Sequence, residues 1–140
     1  MYLLEIIQKR RIYEPIFKQT WQRISTALVY PALAEGEPLQ KLLFLGQVTY
    51  AAVYVSALAA GMSSSAAHCL ARNQLRQFKV DKPVAKVVAH RFSGTDDVGE
   101  QAYAELLRSH LAHIQQQDLP GEQVATLMAE LAERFINHSF

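Results

Sequence analysis

Residues 42–71 read LLFLGQVTYAAVYVSALAAGMSSSAAHCLA, thirty consecutive positions without Asp, Glu, Lys or Arg in a chain where 19% of residues carry a formal charge. Three structures answer to such a run: a membrane span, the buried central helix of a bundle, or two helices around a turn that read DNA. Leu42 to Ala60 is nineteen residues, about 28 Å as a helix, which is enough to cross a bilayer. Its composition points elsewhere. Gln47, Thr49 and Ser56 lie within it, Ala and Gly fill much of the rest, and a mid-membrane Gln is costly. Basic residues stand on both sides, Lys9, Arg10 and Arg11 before and Arg72, Arg76 and Lys79 after, so neither flank is distinctly the positive one.

The core-helix reading asks for less. A helix apolar on every side is what the centre of a bundle requires, because each face meets another helix. Ala52, Ser56 and Ala60, spaced by four, would let a neighbouring backbone come close. Tyr50 and Tyr54 bring bulk together with hydroxyls that must reach a partner or the surface. Part of this helix could also lie at a subunit interface, since monomers rarely expose a large apolar face.

The flanking segments repeat the helical period. From Pro15, suited to a first turn because it has no N–H to leave unpaired, Phe17, Trp21, Ile24 and Leu28 recur on one face. Pro31 and EGEP at 35–38 then separate this helix from the apolar one. Ser63, Ser64 and Ser65 after Gly61 supply capping oxygens for a helix carrying Leu70, Leu75 and Phe78. Asp81 and Pro83 open a short segment whose Val84, Val87 and Val88 fit a helix better than a strand, though valines suit both. SGTDD at 93–97 stops it, and Thr95 with acids behind it starts the next helix, whose stripe is Tyr103, Leu106, Leu107, Leu111 and Ile114. After DLPG at 118–121, Val124, Leu127, Met128, Leu131 and Phe135 define the last amphipathic helix. The expected fold is all-α: a single domain over residues 1–140, a bundle of five to seven helices around an uncharged, Ala-rich central one.

The net charge of +1 conceals a segregation. Residues 72–91 hold six bases against Asp81 alone, while residues 96–140 hold eight acids against Arg108 and Arg134. Such a split marks a surface for nucleic acid or an acidic partner, or else charges that pair inside the bundle or simply face water. The single cysteine, Cys69, excludes an intrachain disulfide and fits a reducing compartment. At the N-terminus, MYLLEIIQKRR places apolar residues before basic ones, the reverse of a secretory signal. A cytoplasmic location is expected.

Candidate chemistry is sparse. VYVSALAAGMSSSAAHCLARNQ resembles a helix-turn-helix: Ala57 stands where a small residue is needed, Gly61 at the turn, and Met62 and Leu70 where the second helix packs inward. That resemblance implies Ser63, Ser64, His68, Arg72 and Asn73 facing phosphates and base edges. Ser56 departs from it at a position normally apolar, and Val53, Tyr54, Val55 and Leu58 depart where the unit shows water a polar face. His110 and His113 are one turn apart but lack the ExxH pairs of carboxylate-bridged metal bundles. Arg108 and His113 in RSHLAH have the offset used by HEPN-type ribonucleases, and this six-residue resemblance implies joint action on a phosphodiester, though Ser109 replaces the polar Asn that often follows the Arg. There is no Gly-rich phosphate loop, no GxSxG and no CxxC.

The reading that ranks first is a non-enzymatic protein–protein interaction module, an adaptor, chaperone-like or assembly subunit that also self-associates. No cofactor, metal or small-molecule substrate is expected. Tyr50 and Tyr54 on outward faces of the apolar helix, with the basic residues Arg72, Arg76 and Lys79, are the expected partner-binding positions. DNA binding, a single membrane span and a HEPN-like ribonuclease follow in that order of interest.

Overall fold

The computed structural model describes residues 3–25, 38–77 and 81–138. Among them there are six helices and no strand: α1 (Leu3–Ser25), α2 (Pro38–Ala59), α3 (Ser64–Gln77), α4 (Lys82–Ser93), α5 (Val98–Gln116) and α6 (Gly121–His138). The all-α bundle around an uncharged central helix is therefore what the chain forms. α2 packs against each of the other five, and every residue from Gly46 to Ala57 is buried. It is long and apolar enough to cross a membrane, yet 72% of its most apolar window is covered by the chain's own helices. The helix starts before the uncharged run, at Pro38, whose fixed φ and missing N–H suit a first turn. These early turns carry Lys41 and the exposed Leu39 and Leu42.

Specific contacts fix how the helices meet α2. A Cβ on Gly46 would stand 2.9 Å from Val88 Cγ2, so α4 approaches α2 as closely as it does only because Gly46 has no side chain. On another face Gln115 of α5 donates both to Ser56 Oγ on α2, at 3.0 Å, and to Thr20 Oγ1 on α1, at 3.2 Å. One amide joins three helices. Phe44 and Tyr103 both lean on Phe135, with ring centroids 5.7 Å apart in each case, and the Tyr103 hydroxyl donates to the Leu131 carbonyl at 2.8 Å, tying α5 to α6. Arg23 of α1 donates to the carbonyls of Ile114 and Gln117, each at 3.0 Å, and so caps the C-terminal end of α5 where free carbonyls and the helix dipole both favour a cation.

Two expected helix starts are displaced. α1 begins at Leu3, not Pro15, and Pro15 lies inside it. The N-terminal half is secured tertiarily, since the Glu5 carboxylate accepts from Ser63 N and Ser63 Oγ at the α2–α3 turn, and the Arg10–Glu14 pair adds an i,i+4 contact. The expected face is present in part: Ile24 is fully buried and Phe17 and Trp21 pack half-buried against the core, while Leu28 lies outside the described residues. α5 is capped by Asp97 rather than Thr95. Asp97 Oδ1 accepts from Glu100 N at 2.9 Å, and Thr95, one step further back, accepts from Asp97 N and donates to Glu100 Oε1. The valine segment is helical, with Val84 and Val88 buried and Val87 exposed.

Candidate functional site

α2 and α3 form an antiparallel pair closed by a turn at Gly61. Gly61 has φ of 93°, Met62 N donates to Ala57 O and Gly61 N to Leu58 O, each at 3.0 Å. This double bond pattern is the Schellman ending, which needs a residue free to take a positive φ. Ser63 then caps α3 by accepting from Ala66 N at 3.2 Å. From the turn the two helices run back in step, so residues four apart on one face residues four apart on the other. Tyr54 Oη meets Ser64 Oγ at 2.8 Å, and Tyr50 Oη meets His68 Nδ1 at 2.6 Å. The sequence left open where the two buried hydroxyls would go; these are their partners.

The Tyr50–His68 pair is electrostatically one-sided. Burial pushes the Tyr50 phenol up to about 12, with Arg72, within hydrogen-bonding reach of its oxygen, opposing that shift. Burial likewise lowers His68 from 6.5, and the positive charges of Arg72 and Arg108 lower it further. At neutral pH the phenol keeps its proton and the imidazole is neutral, and a single hydrogen bond joins Tyr50 Oη to Nδ1. Arg108 of α5 covers the next layer, its guanidinium carbon 5.7 Å from the centre of the Tyr54 ring. With its titration raised to about 12, the Tyr50 phenol carries almost no phenolate at neutral pH. Cys69 is half-buried on the same helix, with Asn73 Nδ2 4.0 Å from its sulfur. The ladder works as a structural tie between α2 and α3.

On the outer side of α3 the picture reverses. A groove of about 510 Å³ runs between α3 and α4, floored by Leu75, Ala85 and Ala89 and edged by Arg72, Arg76, Lys82 and Lys86. No acidic side chain lines it among the described residues. Internal pairing of the basic and acidic thirds is realised among the described residues of 72–91 only at Arg91, whose Nε lies 3.0 Å from Glu100 Oε2. Leu75 is fully buried, part of the core, so the floor is rigid. Arg72 belongs to both structures, reaching Tyr50 at one end and standing on the groove's edge at the other.

The expected site residues thus separate. Arg72 and Arg76 sit together on the groove; Lys79 lies outside the described residues. Tyr50 and Tyr54 do not face outward as expected: they are 0% and 8% exposed, because α3 and α5 cover the sides of α2 that carry them. Of the side chains the helix-turn-helix resemblance assigns to DNA, Ser63 is taken by Glu5, Ser64 by Tyr54 and His68 by Tyr50. Ser63 and Ser64 are exposed yet engaged in these bonds, His68 is half-buried, and Arg72 and Asn73 are exposed as well. Arg108 and His113 lie about 140° apart around α5, with Arg108 against Tyr54 and His113 exposed, so they do not converge as the ribonuclease resemblance implies. No three His, Cys, Asp or Glu side chains converge on a metal position among the described residues. Lys82 and Lys86 as groove members were missed, although their i,i+4 spacing after Pro83 was the available signal. Comparison with protein-family models, with curated proteins and with solved structures finds no match to this chain.

Proposed function

We propose that the protein is a non-enzymatic interaction module that binds an acidic, amphipathic helix or peptide of a partner protein in the α3–α4 groove. One observation carries this reading: an apolar floor of Leu75, Ala85 and Ala89 is framed by four cations, with no carboxylate in its walls among the described residues. An amphipathic segment would lay its apolar residues on the floor while its acids meet Arg76, Lys82 and Lys86 on the rim. Apolar burial would supply most of the affinity, and the rim charges would supply steering and choice of partner. Nucleic acid fits the same groove less well, because its cations flank a recess rather than a convex ridge that enters a duplex groove and no aromatic side chain lines it among the described residues, which exclude Phe78.

The test uses the full chain and three probes: a synthetic Leu/Glu amphipathic helical peptide, duplex DNA and single-stranded DNA, each titrated at roughly 50 and 200 mM salt. Peptide binding that weakens modestly with salt and is lost in Arg76→Ala/Lys82→Ala/Lys86→Ala supports the reading. Arg72 is kept because of its contact with Tyr50. Tight DNA binding that falls by orders of magnitude over the same salt range, with the peptide ignored, refutes it.

A further inference from the structure

Where α4 turns into α5 a second cavity, of about 210 Å³, is bounded by Arg91, Arg108, Gln101 and the Ser93–Thr95 loop. Its walls are mainly polar and include no acidic side chain among the described residues. Both guanidinium groups are largely withdrawn from water, their side chains 11% and 26% exposed. Each is only partly satisfied by the described residues. Arg91 Nε approaches Glu100 Oε2 at 3.0 Å without the alignment of a hydrogen bond, and Glu100 Oε1 is already taken by Thr95 Oγ1 at 2.6 Å. Arg108 spends one amino group on Glu105, at 2.8 Å. Arg91 Nη1 and Arg108 Nε are left buried with no acceptor among the described residues. Folded chains rarely leave charged donors in this state, and when they do a water or ion that meets them is the usual reason.

Two guanidinium forks brought from different helices to one polar recess make a site for a group with several acceptor oxygens pointing in different directions. The recess is smaller than cavities that take drug-sized ligands, which restricts the occupant to an ion or a terminal group. We infer that the α4–α5 cavity binds a phosphate group between Arg91 and Arg108. Small rotations of the terminal guanidinium torsions present the orphaned N–H groups to the bound oxygens. Ser93, Gly94 and Thr95 line the same cavity, so their amide shifts report occupancy. This site is separate from the α3–α4 groove and does not depend on what the groove binds.

Inorganic phosphate is titrated into the isotope-labelled full chain at constant ionic strength, with chloride and acetate as matched controls, while backbone amide shifts are followed. The expected result is saturable shifts centred on 93–95 and 101 for phosphate, at least tenfold weaker or absent for acetate, and lost by tenfold or more in Arg108→Gln. Arg134→Gln, remote from the cavity walls, leaves the affinity unchanged. Shifts that grow without saturating, that centre on Arg72, Arg76, Lys82 and Lys86, or that acetate reproduces at equal concentration overturn the assignment. Because the parent chain alone gives the saturation and the map, a variant that fails to fold leaves the proposal falsifiable.

Discussion

His68 shows how much of this molecule is decided by a single side chain's surroundings. Its ring stands between a phenol and two guanidinium charges, and burial together with Arg72 and Arg108 holds its titration below 6.5. Over the interval between the depressed value and 6.5 the unfolded chain holds the additional proton, so stability falls as pH drops through that interval and is level above it. Proton NMR of the ring should place the His68 midpoint below 6.5. Arg108→Gln should move it up by removing a like charge. A parent midpoint at or above 6.5 would contradict the tie described above. Gln115 offers a second residue-scale test, because its amide meets Thr20 and Ser56 together. Gln115→Leu leaves two hydroxyls short of a donor and should cost about 1–3 kcal/mol in denaturant unfolding, whereas Gln116→Leu, exposed one position further on, should fall within about 0.5 kcal/mol of the parent. None of these partnerships was visible in the sequence. Tyr50 and Tyr54 announced only that their hydroxyls needed partners, and the antiparallel register that supplies Ser64 and His68 follows from the turn geometry at Gly61 rather than from any local pattern.

Elements were more legible than residues, and the reason is physical. Helical period is a local property, so the stripes of α5 and α6 and the uncharged core helix could be read directly, and the valines of α4 resolved as helix because only two of the three face the core. The start of α1 was misplaced because a tertiary contact secures it, Glu5 reaching the Ser63 turn, whereas at α5 two neighbouring side chains compete locally, Asp97 taking the Glu100 N–H and Thr95 the Glu100 carboxylate. The α2–α4 contact was equally hidden, since Gly46 read only as one small residue in an apolar run. Its role yields a quantitative expectation. Gly46→Ala gains up to about 1 kcal/mol of helix propensity but sets a Cβ 2.9 Å from a methyl of Val88, a β-branched side chain with little rotamer freedom in a helix. Overpacking of this kind costs about 1–3 kcal/mol, so the single variant should be less stable than the parent. In a Val88→Ala background the methyl is gone, and Gly46→Ala should become neutral or stabilising. Denaturant melts of the four chains give the coupling directly, and additive effects would show that α2 and α4 do not meet at Gly46.

At the scale of the whole molecule the charge segregation acquires a meaning that composition alone left open. Had the basic third been neutralised inside the fold, its cations would pair with the acids of α5 and α6, as Arg91 does with Glu100. Instead Arg76, Lys82 and Lys86 share a groove with Arg72 and no acid, an arrangement that repels itself and is therefore a small liability to the folded state. Residues kept against the interest of stability are those expected to serve binding, which is what separates a docking groove from a merely solvated face. Salt should reveal the liability. Screening weakens repulsion between exposed charges beyond about 10 Å at 0.1 M, so the parent's Tm should rise between roughly 20 and 300 mM sodium chloride. Lys82→Gln/Lys86→Gln, which halves the charge around the groove, should melt about 1–2 °C higher than the parent at low salt, as expected for a few tenths of a kcal/mol in a domain of this size, and should lose most of that salt-dependent rise. The same variant should bind the acidic peptide more weakly, so stability and binding move in opposite directions. If it melts lower than the parent at low salt, the lysines are partners within the fold and the groove is not a site held open for an acidic ligand.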